Sequence, residues 1–193
     1  MANQADVVLR IYGDNADTIS NKILELKNDE VSIEELVTSI RDSFKDPDDL
    51  KVIDEFLKNG DKRFSFTISD GYGGYLELEG QSAWCEPYES INVLEHLYDV
   101  KIYYLVYESS NDIYETNDME GDVFGDDFKY ALDSNNHYGR VDESTLVDEA
   151  EKYYESDFFD VDDVFDTTIN GSDPHEDDMC TYFYLLKLER VEQ

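Results

Sequence analysis

Apolar and polar positions alternate, or recur at helical spacing, through most of the chain. Val7 to Tyr12 reads as a strand ended by Gly13. Asp14 or Asn15 is placed to cap a helix whose apolar face is Ile19, Ile23 and Leu26. Ser32 and Glu35 have the spacing of a capping box, in which each side chain bonds the other residue's backbone N–H. Ile33, Leu36, Val37, Ile40 and Phe44 follow as one helix face, which Pro47 ends. A short helix starting at Asp48 or Asp49 carries Leu50, Ile53, Phe56 and Leu57 and stops at Gly60. Arg63 to Ser69 alternates through Phe64, Phe66 and Ile68. Gly71, Gly73 and Gly74 turn the chain, and Tyr75 to Trp84 returns as a strand. Pro87 suits a helix start, with Tyr88, Ile91, Leu94 and Leu97 as its buried stripe. Val100 to Tyr107 is the strongest strand signal, and Ile113 to Thr116 is placed to pair with it as a hairpin.

Beyond residue 116 the pattern weakens. A strand around Phe128 to Leu132, a helix from Ser144 to Tyr154 and a last strand from Cys180 to Leu188 are expected. The stretch from Asp157 to Thr168 fits neither period. The order of elements predicts an α+β fold with a mostly antiparallel sheet and packed helices. Its organisation would be a core over 1–116 with a helical insertion, then an acidic elaboration over 117–193 whose last strand, 180–188, returns to the sheet.

Two stretches carry a resemblance. Residues 7–26, VVLRIYGDNADTISNKILEL, run strand, Gly-acid turn, helix. Residues 75–115 run strand, Ser82-Ala83-Trp84, Pro87, helix, Tyr98-Asp99, strand and Tyr107-Glu108. This pattern resembles the YubB-type family of plasmids and phages over about residues 1–115. Where that family typically has Trp followed by Pro-Pro, Trp84 here precedes Cys85-Glu86-Pro87. The resemblance implies a ferredoxin-like fold and a mobile-element origin, and brings no catalytic residues with it.

Charge changes the picture most. The 193 residues carry 48 Asp and Glu against 15 Lys and Arg, a formal net charge of −33. Solubility alone needs a net charge of about 2–8 in magnitude, and crowded like charges oppose compaction. Disordered acidic chains lack aromatics, whereas this one has 15 Tyr and 10 Phe, so its charge is expected on a folded body. Residues 117–179 contain only Lys129, Arg140 and Lys152 as cations. Their acids fall into clusters: Glu120, Asp122, Asp126 and Asp127; Asp148, Glu149, Glu151, Glu155 and Asp157; Asp160, Asp162, Asp163 and Asp166; Asp173, Glu176, Asp177 and Asp178. Carboxylates two apart on a strand lie about 6.6 Å from each other, and those three or four apart on a helix about 5–6 Å. Duplex DNA presents one charge per about 1.7 Å of axis. A folded surface with such spacing suits Lys and Arg side chains that otherwise hold phosphates. The plain alternative for any one cluster is a solvated face.

Other chemistries find less support. EF-hand windows from Asp133 and Asp118 put Tyr138 and Val123 where the loop needs Gly. His96, His137 and His175 are scattered, with no Cys-x-x-Cys or His-x-x-x-His for zinc. No Gly-x-Ser-x-Gly occurs, and Gly71-Tyr72-Gly73-Gly74 lacks the Lys of a phosphate loop. The expectation is therefore a binding protein, not an enzyme, with no cofactor and no metal. Tyr103, Tyr104, Tyr107, Tyr153, Tyr154, Tyr182 and Tyr184 are expected mainly in the core or packed on a sheet face, with some as interface anchors.

No run of about 18 apolar residues suggests a membrane span. The first residues lack signal-peptide character, and Cys85 and Cys180 make no disulfide framework, so a cytoplasmic setting (the host's, for a phage protein) is expected. The expected function is an acidic DNA mimic from a phage or mobile element. It would occupy the basic nucleic-acid-binding surface of a host defence protein, a restriction or CRISPR effector, without binding nucleic acid or membrane itself. The alternative is an immunity-type protein that neutralises a basic toxin or nuclease. A third reading, adaptation to a salt-saturated cytoplasm, fits poorly with the many Ile, Tyr, Phe and Asn and few Ala.

Overall fold

The computed structural model describes residues 4–83, 86–125, 128–170, 174–175 and 181–192. Trp84, Cys85 and Cys180 lie outside them. The chain is α+β and divides into two compact units, 1–108 and 109–193, whereas the sequence pattern puts the change after residue 116.

The first unit runs β1 (Gln4–Tyr12), α1 (Ala16–Leu26), β2 (Val31–Ser32), α2 (Ile33–Ile40), α3 (Pro47–Asn59), β3 (Phe64–Tyr72), β4 (Tyr75–Ala83), α4 (Tyr88–Tyr98) and β5 (Lys101–Glu108). The sheet order is β5-β1-β4-β3-β2, and every neighbouring pair is antiparallel. Strand periodicity sends alternate side chains to opposite faces. Ala5, Val7, Leu9 and Ile11 are therefore all buried, as are Leu76 and Leu78 on β4, Phe64 and Phe66 on β3, and Ile102, Tyr104 and Val106 on β5. Register aligns them: Leu9 lies between Leu78 and Tyr104, and Ile11 between Leu76 and Ile102. The helices α1, α2 and α3 contribute Ile19, Ile23, Leu36, Val37, Ile40, Ile53 and Phe56 to the core. Truncating one such aliphatic side chain costs about 2–5 kcal/mol. Gly80 is required where it stands, because a Cβ there would collide with the Ser65 carbonyl oxygen on the paired strand.

Helix ends show where local sequence rules held. The Ser32–Glu35 capping box is present at α2. Asn15 occupies the N-cap of α1, but its side chain makes no cap bond; its Nδ2 donates to the Tyr98 carbonyl at 2.7 Å, tying α1 to the end of α4. Asp46, not Asp48 or Asp49, caps α3, and Pro47 is its first residue rather than a breaker. Phe44 follows a 3-10 turn after α2 and is not part of that helix. Tyr88 is exposed, and the buried side of α4 is Ser90, Ile91, Val93, Leu94, Leu97 and Tyr98.

The second unit holds β6 (Ile113–Thr116), β7 (Tyr130–Ser134), β8 (Tyr138–Val141), α5 (Glu143–Tyr154), α6 (Val161–Asn170), β9 (Phe183–Lys187) and β10 (Glu189–Arg190). β7 pairs antiparallel with β8 and with β9, and β10 pairs parallel with β6. The last long strand, expected to return to the sheet of residues 1–116, thus joins a three-stranded sheet of its own. Leu132, Val141, Leu146, Ala150, Val164 and Leu185 form the core, flanked by Tyr154, Phe158, Phe165 and Phe183. The ambiguous stretch after Asp157 is helix α6, whose Val161 and Val164 reach that core.

Candidate partner-binding surface

The acidic residues singled out by sequence fall into three groups. Asp148, Glu155, Asp157, Asp162 and Asp166 are exposed, as are Glu120 and Asp122 in the loop before β7. They suit an outward-facing anionic surface. Asp162 and Asp166 stand one helical turn apart on α6, so their like charges oppose the helix by a few tenths of a kcal/mol. The second group is engaged with the chain itself. Glu149 accepts from Lys152 at 2.6 Å and from Asn136 at 3.2 Å, and the Lys152 bond leads in holding its carboxyl below the usual range. Glu151 accepts from the Phe158 N–H at 3.2 Å. Asp160 accepts from the Asp163 N–H at 3.1 Å while Asp163 accepts from the Phe159 N–H at 3.2 Å, a reciprocal clasp at the start of α6. The third group, Asp126, Asp127, Asp173, Glu176, Asp177 and Asp178, lies outside the described residues.

The most committed carboxylate of this unit is one that the charge clusters did not include. Asp118 is only 2% exposed. Its oxygens accept from the N–H groups of Gly121 at 3.1 Å, Val123 at 3.0 Å and Phe124 at 2.7 Å. Arg190 closes the ring: its guanidinium lies 3.4 Å from the Asp118 carboxylate, donates to the Asp118 carbonyl, and donates to the Phe124 carbonyl at 3.0 Å. A buried charge persists only with such partners. The loop that failed as an EF-hand is thus a backbone nest occupied by the chain's own carboxylate. Among the described residues, no group of three or more His, Cys, Asp and Glu is placed to hold a metal ion.

Crowding alone would raise the carboxylates' pKa values. Where shifts are resolved they run downward, at Glu35, Asp54, Asp61, Glu77, Asp142 and Glu149. The reason is local. Each accepts hydrogen bonds from a neighbour, such as the Ser32 N–H and hydroxyl for Glu35, Arg41 for Asp54 and the Thr145 N–H for Asp142.

The tyrosines fall into three classes. Tyr104, Tyr107 and Tyr153 are buried, Tyr182 is exposed, and Tyr103, Tyr154 and Tyr184 are half-buried. Tyr103 belongs to a row that sequence reasoning did not assemble. Tyr12 at the end of β1 lies 5.2 Å from Tyr75 and 6.0 Å from Tyr103, and Tyr75 lies 5.9 Å from Tyr72. The register that pairs Tyr12 with Tyr75, and Tyr75 with Tyr72, brings these rings together. Tyr72, at the β3–β4 turn, is 73% exposed. Beside the row, Glu77 accepts from Arg10 at 2.7 Å, from the Tyr75 hydroxyl at 2.9 Å and from Ser69 at 2.9 Å. Its partial burial raises the carboxyl's pKa, but these three bonds outweigh that and leave it below the usual value.

Set against protein-family models, curated proteins and solved structures, the chain matches none. Among the described residues, no helix is long and apolar enough to cross a membrane.

Proposed function

We propose that this chain is an acidic DNA mimic of mobile-element origin, akin to the YubB-type family. It inhibits a host defence protein, a restriction or CRISPR effector, by occupying its nucleic-acid-binding surface in the cytoplasm. It acts by binding and not by catalysis. The observation that carries the reading is the segment from residue 148 to 166. Asp148, Glu155, Asp157, Asp160, Asp162, Asp163 and Asp166 are all exposed there, and the segment's cation, Lys152, is held by Glu149. Many weak contacts of phosphate type are what a basic DNA channel offers. A ferredoxin-like assignment for the first unit is part of the proposal. It is supported by the order β5-β1-β4-β3 with antiparallel neighbours, linked through α1 and α4, the segment from β2 to α3 being the insertion.

The test separates binding acids from structural ones. Asp148, Asp157, Asp162 and Asp166 change together to Asn, leaving the Asp160–Asp163 clasp intact. A matched variant changes Asp29, Asp42, Asp48 and Glu55 of the first unit to Asn and Gln. Association with purified restriction and CRISPR effectors is measured across salt, with duplex DNA as competitor. The first variant should associate several-fold more slowly and with a shallower salt dependence. A larger loss in the second would move the binding face to the first unit. Binding that DNA fails to displace would end the mimic reading and favour toxin neutralisation.

A further inference from the structure

We propose that the tyrosine row of the first unit is a second contact surface that receives arginine side chains from an extended segment of a protein partner. It rests on the reading above only in that the partner is basic. The rings of Tyr72, Tyr75, Tyr12 and Tyr103 come from β3, β4, β1 and β5 and touch in sequence across the sheet. The ring centroids of this row follow one another at 5.2–6.0 Å, with each ring tilted or edge-on to the next. Consecutive side chains on one face of an extended peptide recur every ~6.6 Å, so neighbouring rings suit alternate residues of one strand-like segment.

Charge selects the occupant. The face of an aromatic ring attracts cations, and the chain demonstrates this itself: the Lys101 ammonium lies 5.5 Å from the Tyr103 ring centroid. Asp14, Asp70 and Asp99, all exposed, flank the strand ends that carry the rings. Residues 1–108 hold 23 Asp and Glu against ten Lys and Arg. This field repels phosphate, so stacked nucleobases with their backbone are disfavoured where a guanidinium is welcome. Arginine fits better than lysine because its planar head stacks on a ring while its N–H groups still reach carboxylates. Tyr75 is held by its hydroxyl bond to Glu77, and Tyr72 at the turn has most of its surface free to meet a partner.

The test uses the full chain with two nine-residue peptides, one of arginine and one of lysine, and an oligothymidylate of similar length. Binding is measured calorimetrically at fixed ionic strength. Tyr12 and Tyr72 change together to Leu, and in a second protein together to Phe. Circular dichroism checks that both keep the fold, and Tyr72→Leu alone, at the exposed turn, serves if the double variant does not. The arginine peptide should bind the parent chain more tightly than the lysine peptide. The Leu variant should lose roughly fivefold for arginine, with less than twofold change for lysine, while the Phe variant keeps binding within twofold. Equal losses for both peptides, or none for arginine, would overturn the proposal, since a diffuse polyanion behaves that way. Oligothymidylate binding that disappears in the Leu variant would also overturn it, by making the row a nucleobase platform. The acids of residues 148–166 are the same in every protein compared, so a difference between the variants reports on the tyrosine row and not on the mimic surface.

Discussion

The two units differ in how far side-chain cations can balance their acidic residues. In the first, ten Lys and Arg stand against 23 Asp and Glu, and several carboxylates are matched by side-chain cations: Arg10 with Glu77, Arg41 with Asp54, Lys62 with Glu34, and Arg63 with Asp61. The second has five Lys and Arg against 25 Asp and Glu, so pairs such as Lys129 with Glu143, Lys152 with Glu149 and Arg190 with Asp118 reach few of its acids. In both units backbone N–H groups also bond carboxylates, as at Glu35 and Asp46 in the first, and in the second, with so few cations, they carry more of that work. Asp118 accepts three of them, Asp142 caps α5 through the Thr145 N–H, and Asp160 and Asp163 clasp the start of α6. A high density of acid is therefore not a uniform coat. Part of it organises loops and helix ends that a weaker apolar pattern leaves undefined.

The sharpest way to break this contrast is Asp118→Ala. Removing the acceptor leaves Arg190 and three backbone donors without it, and loss of one partner of a buried ion pair costs about 3–5 kcal/mol. Denaturant unfolding should show that loss, and amide exchange should place it in residues 109–193 with the first unit's sheet unchanged. Uniform loosening of both units would mean that they do not differ as described. A smaller effect is expected at α6. Asp160→Ala should cost about 1 kcal/mol as a lost cap, while Asp162→Asn should stay within about 0.5 kcal/mol of the parent; equal melting temperatures for the two would deny the clasp a structural role.

The smallest effect concerns pH in the first unit. The folded-state pKa of Glu77 is lowered, so its contribution is complete above the unfolded value, about 4.3. It is lost as pH falls through the lowered folded value. Glu77→Gln should therefore narrow the difference in melting temperature between neutral and acidic pH. An unchanged difference would remove the Arg10–Glu77–Tyr75 group from the account.

Legibility followed the same division. Alternation at Phe64, Phe66 and Ile68 and helical spacing at Ile33, Leu36, Val37 and Ile40 located elements of the first unit, because each face meets one core. β8 went unseen, since Tyr138 to Val141 is four residues with a glycine and two exposed side chains. Helix α6 was ambiguous because its acids obscure Val161 and Val164. At the candidate surface, sequence found the acids but not their partners. Asp162 and Asp163 are neighbours of one type, yet only Asp163 accepts a backbone bond among those described above, which depends on where α6 begins. The tyrosine row joins residues 12, 72, 75 and 103, and only strand register brings them together. Asp118 could have been suspected from the residues that follow it: Gly121 has a positive φ of 79°, as a loop folding back on its own carboxylate requires.

The Asp118 ring also bears on how such a sequence can drift. Total charge is a collective quantity, and an acid lost at one exposed position can be regained at another, as Asp or as Glu. Asp118 has no such freedom. Glutamate would carry the carboxylate one methylene too far from the three N–H groups that it serves, and no acid elsewhere could replace it. Among relatives with the same architecture, exposed acids would wander along α5 and α6 while this aspartate, Gly121 and Arg190 change only together.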